Sequence, residues 1–297
     1  MGRAPAAGAC ALARKYDADG FDRSGLAHPG DALTPSGALI KATARNSTVD
    51  MTGVTGYPAN LEGWGRVLLD DALYLDGDAG KMFIEDVRNA DGLDTTDIVE
   101  HTVNVVGAAP LLNVTLVWTD PPASASTGSS PAWINDLNLE VVGPAGTYRG
   151  NFFSSGQSTT GGTADDRNNV EMVLLNAPSP GAYTVRIVGN AVNQGPQGYA
   201  LVVTGDINLG PAPLNAQILT AVPTVQPLDT PLTIQVNVNE NDDTVLGIDL
   251  HYSDDNGSSF TTIPMTSKAT THSADIPGFA ECEAEPAFYV TVEGTLA

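Results

Sequence analysis

Carboxylates and amides gather in three stretches of the chain. Asp136 and Asn138 lie in "INDLNLE", Asn151 ends "YRGN", and Asp165 and Asp166 sit in "TADDRNN", with Asn168, Asn169 and Glu171 close behind. A calcium ion takes about six to eight oxygen ligands, mostly carboxylate and loop carbonyl oxygens. The Gly/Ser/Thr-rich loop of residues 154–163 feeds the last stretch and suits that demand. Turn chemistry is the plainer alternative, because Asp and Asn also bond nearby backbone amides without any metal. "DDNGSS" (254–259) and "NENDD" (239–243) are acidic as well and read as solvated turns.

Hydrolytic chemistry finds less support. His28, His101, His251 and His272 are scattered, and His28 beside Pro29-Gly30 reads as a loop residue. Ser and Asp are common, but a catalytic trio needs a nucleophile turn and a shaped oxyanion hole, and no motif here supplies them. The expectation is no catalytic residue in this chain. Of the three tryptophans, Trp118 alternates with core residues, Trp64 lies between glycines, and Trp133 precedes a strand as the one candidate for exposure.

The 297 residues carry 35 acidic against 13 basic side chains, a formal net charge of −22. Such a surface repels phosphate backbones and anionic lipid, so neither nucleic acid nor membrane is expected as a partner. No apolar run approaches the roughly 18 residues that span a bilayer. Cys10 and Cys282 are far apart, which disfavours a disulfide and excludes a cysteine zinc site.

The elements that must position these residues change character along the chain. Residues 1–80 read as helical with loops. Ala6–Tyr16 favours helix, "LTPSGALIKATARNS" has Thr34 as a possible N-cap with Pro35 in the first turn, and a short helix is expected through Leu69, Ala72 and Leu73. From Lys81 the apolar period falls to two. "LLNVTLVWTD", "INDLNLEVV", "VEMVLLN", "GAYTVRIVG" and "GYALVVTG" are bounded by turn residues, which argues for an antiparallel sandwich or jelly roll over 81–207. A proline-rich linker opens 208–297, and "LTIQVNVNE", "LGIDLHYSDDNGSSF" and "AFYVTVEG" follow as strands of an immunoglobulin- or fibronectin-like sandwich. The fold class is therefore mainly β after a helical start, which the resemblance given next implies is an α/β remnant.

Three stretches together resemble the subtilisin-like serine proteases. "APAAGACALARKY" is similar to the helix that follows their nucleophilic serine. "TPSGALIKATARNST" with "LEGWGRVLLDDAL" resembles the last helices of their catalytic domain. The stretch from "LVWTDPPA" through "INDLNLEVVGPAGTYRGN" and "DDRNNVEMVLLN" to "GYALVV" is similar to the jelly roll appended to alkaline members of the family. The resemblance covers about residues 1–205. It implies that residues 1–80 complete a catalytic domain whose Asp, His and Ser lie upstream, and that the parent is a secreted endopeptidase acting on protein substrates. Met1 falls at the family motif's Met, and the chain stops just after a strand, so both ends read as cuts. The chain's partner is then the missing N-terminal catalytic part. The resemblance also implies calcium in the jelly roll, with two departures: Asn138 replaces the usual Asp of "NDLDL", and Phe152 stands where an acid is common. A non-catalytic extracellular binding module is the competing reading, and helices with apolar faces awaiting an absent sheet argue against it.

Overall fold

The computed structural model describes residues 3–22, 24–29, 31–53, 56–123, 133–208, 215–221, 228–239, 244–255, 257–268, 271–278 and 287–295. Cys282, Pro211, Pro213, Pro223 and Pro227 of the proline-rich stretch and most of "NENDD" lie outside them. The chain forms two compact units, one of residues 1–27 and 32–210, the other of residues 28–31 and 211–297.

The first unit opens with α1 (Arg3–Asp19) and α2 (Gly37–Asn46), followed by the short pair β1 (Thr48–Val49) and β2 (Arg66–Val67). Ten strands follow: β3 (Lys81–Val87), β4 (Ile98–Val105), β5 (Leu112–Trp118), β6 (Asn135–Gly143), β7 (Gly146–Ser154), β8 (Gln157–Thr160), β9 (Val170–Leu175), β10 (Gly181–Val192), β11 (Tyr199–Gly205) and β12 (Ile207–Asn208). They make two antiparallel sheets, in the orders β12-β4-β10-β6-β7-β8 and β3-β11-β5-β9. The alternating apolar residues face each other between the sheets. Leu116, Trp118, Leu137, Leu139, Val141, Val185, Ile187 and Leu201 form that core, and their burial is the main drive for the sandwich.

The second face of the four-stranded sheet is buried as well. Met82, Ile84, Ala200 and Val202 pack beneath Ala38, Leu39 and Ala42 of α2, with Tyr16 of α1 alongside. Asn113, Thr115 and Thr204, which alternate like solvent-facing residues, sit in this second layer. Asn46 at the end of α2 bonds two strands of this sheet, β5 and β11. Its Nδ2 donates to Asn113 O, Thr115 Oγ1 and Val202 O, and its Oδ1 accepts from Thr204 Oγ1 at 2.6 Å. Asn113 returns a bond to Asn46 O at 2.7 Å. The polar periodicity of β5 thus serves helix docking, since buried polar groups must find partners.

Two local expectations are corrected. The N-cap of α2 is Ser36 rather than Thr34: its Oγ accepts from Leu39 N–H, and the Asp86 carboxylate holds its N–H and hydroxyl. The expected helix at Leu69–Leu73 is a single 3₁₀ turn, Leu69–Asp71. Helix α1 runs three residues past Tyr16 and stops at Gly20, whose φ of +71° supplies the left-handed closing residue.

The second unit is a smaller sandwich: β13 (Asn215–Ile218), β14 (Leu232–Asn239), β15 (Val245–Ser253), β16 (Thr261–Pro264), β17 (Thr266–Lys268), β18 (Thr271–Ile276) and β19 (Ala287–Gly294). Its sheets run β13-β14-β18-β17 and β16-β15-β19. Ile234, Val236 and Val238 meet Ile248 and Leu250 in its core. Between β15 and β16, Asp255 accepts from Ser253 Oγ, Ser259 N–H and Ser259 Oγ, bonds that hold its carboxyl down at about 2. The architecture of the described chain is mainly β. No described helix is long and apolar enough to cross a membrane.

Candidate functional site

The acidic loop between β8 and β9 is organised by Asp165. One oxygen of its carboxylate accepts from Asn151 Nδ2 and Asn168 Nδ2, both at 2.6 Å, and the other from the backbone N–H groups of Arg167 and Asn168. Asn151 takes a left-handed φ of +60° on β7. That turn lets its Nδ2 also reach Val170 O at 2.8 Å and its Oδ1 accept from Met172 N–H at 3.0 Å. Asn151 and Asp165 are therefore brought together, and the amide faces the carboxylate with its nitrogen. Asp166 is exposed beside Arg167, 3.6 Å away.

Asp136 and Asn138 lie on β6. Asp136 is buried and accepts from Asn190 Nδ2 at 2.6 Å, at the point where the β10 register shifts. Burial raises its pKa above the usual carboxylate range, the Asn190 bond opposes this, and the charges of Asp166 and Asp165 add to the rise. Asn138 Oδ1 is buried with no partner among the described residues. Among the described residues, no three His, Cys, Asp or Glu side chains converge as a metal site requires.

Glu171, close behind the acidic loop in the sequence, links the layers. It projects from β9 of one sheet and accepts from Leu139 N–H, on β6 of the other, at 2.8 Å. The β6–β7 ladder ends at Glu140–Arg149, so this carboxylate replaces the strand partner that Leu139 has lost. Gly150 makes room: a Cβ there would stand 2.1 Å from Glu171 Oε2. Glu171 is fully buried, its Oε1 is unpartnered among the described residues, and burial lifts its pKa well above normal. An acid inside the apolar run "VEMVLL" was the sequence signal for it.

His101 pairs with Glu85 at 2.9 Å, and Glu85 also accepts from Tyr199. His251 has one ring nitrogen on Thr291 and the other on Thr262, so neither nitrogen is held by a carboxylate. His28 stands in a loop and His272 on β18.

No family model matches this chain. It is 26% identical over 208 residues to the Dictyostelium discoideum protein named "Serine protease/ABC transporter B family protein tagA", covering 67% of this chain and 12% of that protein. It is 24% identical over 249 residues to the tagD protein of the same name and organism, covering 68% and 14%. The tagB protein gives 25% over 247 residues, covering 68% and 13%. The chain thus matches distant relatives named as serine proteases, and it spans about an eighth of their length.

Proposed function

We propose that this chain is the C-terminal portion of a secreted subtilisin-like serine endopeptidase. In the intact enzyme, upstream Asp, His and Ser residues would cleave peptide bonds in protein substrates. Residues 1–80 would complete the catalytic fold, and the ten-stranded sandwich would brace it. The observation that carries this reading is the helix pair. Helix α2 is anchored on the sandwich through Leu39 and Asn46. Helix α1 buries only Ala13, Tyr16 and Asp17 along its described length, while Ala6, Ala7, Gly8, Ala11 and Leu12 are exposed, Leu12 by 62%. An apolar helix face left open in this way is shaped for cover by another segment. The relatives' names support the protease class.

The chain alone should hydrolyse nothing. Purified protein with casein is expected to give no turnover above a boiled control, and a fluorophosphonate serine probe is expected to leave it unlabelled. Turnover that co-purifies with the chain and labels one of its serines would overturn the assignment.

Calcium belongs to the same proposal. Asp136, Asn138, Asn151, Asp165 and Asp166 would have to draw together to hold a hard cation, because among the described residues their carboxylates do not converge. The ion would supply charge neutralisation in the sandwich. A thermal melt in calcium against EGTA is expected to show a higher midpoint with calcium, and an unchanged midpoint would remove the ion from the account.

A further inference from the structure

Two cavities of about 330 and 380 Å³ share Pro58 and Phe153 and adjoin each other where the 56–64 loop meets the β7–β8 hairpin. Trp64 is held between Gly63 and Gly65, with φ of +62° and +82°. A Cβ at Gly65 would stand 2.1 Å from Val49 O, so only glycine brings the loop this close. The half-buried Trp64 ring meets Phe153 edge to face at 5.9 Å. Together with Pro58 these rings form an apolar wall.

The opposite rim is polar and, among the described residues, carries no Lys or Arg. Asn60, Asn151 and Asn168 line the larger cavity, and Asp50, Ser154 and Ser155 the smaller, so the open Asp50 carboxylate further disfavours an anionic ligand. Both oxygens of Asp165 are filled by N–H donors, so its charge fixes the amides rather than facing a ligand. Asn151 and Ser155, with φ of +60° and +54°, are non-glycine residues in the left-handed region. Such strain gathers where surrounding structure holds a site in shape.

We infer that this groove binds a neutral oligosaccharide, with a sugar ring against Trp64 and Phe153 and its hydroxyls on Asn60 and Asn168. The C–H face of a pyranose suits an aromatic wall, and amides both donate to and accept from hydroxyls. A net charge of −22 and a rim without Lys or Arg disfavour anionic sugars. The volumes fall in the range of small-molecule sites. This inference is independent of the protease reading.

The test titrates the full chain with cello-, xylo-, manno- and maltohexaose, followed by calorimetry and tryptophan fluorescence. Saturable binding to at least one sugar is expected. Trp64→Ala should weaken it about tenfold or more, while Trp64→Tyr keeps most of it. Asn60 is exposed, so Asn60→Ala should weaken binding about threefold with no change in melting midpoint, and it decides the matter if Trp64→Ala unfolds. Absence of saturable binding to all four sugars up to about 10 mM overturns the inference. So does binding that is unchanged in Trp64→Ala and Asn60→Ala, or hexalysine binding in the groove while every sugar fails.

Discussion

Asp17 faces inward from α1 at 1% exposure, and neither of its carboxylate oxygens has a hydrogen-bond partner among the described residues. Burial, and then the charge of Asp86, push its pKa up to about 7. The folded state therefore binds a proton that the unfolded chain releases above its ordinary value of 3.8. Stability from this group is complete below that value and is lost as pH rises through about 7. Asp17→Asn should raise the melting midpoint at pH 8 and flatten its fall between pH 4 and 7. Each kcal/mol regained is worth about 2–4 °C in a domain of this size. A variant that melts lower than wild type at pH 8 would contradict the account. The sequence did not mark Asp17, because an acid near the end of a helix usually reads as a surface residue. Asp165 was legible from its loop; its four N–H donors come from chain reversals that spacing does not reveal.

At the level of elements, Glu171 is one of the side chains that tie the two sheets of the first unit by accepting a strand's N–H, as Ser158 Oγ does for Leu174 N–H at 3.0 Å. Glu171→Gln keeps an acceptor for Leu139 N–H without a charge to desolvate and should leave stability equal or higher. Glu171→Ala leaves that N–H unsatisfied beside a void and should cost about 2–4 kcal/mol in urea unfolding. Equal losses in both variants would show that the hydrogen bond is not what matters.

The strands were readable because apolar alternation is a local signal: Leu112 through Trp118 reappears as β5 and Lys81 opens β3. The second buried layer was not. Asn113, Thr115 and Thr204 look like solvent residues until α2 brings Asn46 over them from about 70 to 160 positions away in the chain. Ser36 wins the N-cap over Thr34 for a similar reason, since Asp86 on a distant strand selects it.

Across the whole molecule, the first unit holds both the helices and the ten-stranded sandwich, and the second unit has a core of its own. The distant relatives named as serine proteases support a protease-related class at most. The open Ala6–Leu12 face of α1 is the feature for which a self-sufficient adhesin offers no use. The most direct test is to read the coding DNA immediately before the Met1 codon. A Gly-Thr-Ser sequence in frame, or restored by a single-base shift, with Asp and His motifs farther upstream, is the expected result. An upstream stop with no such motif in any frame would contradict the protease origin.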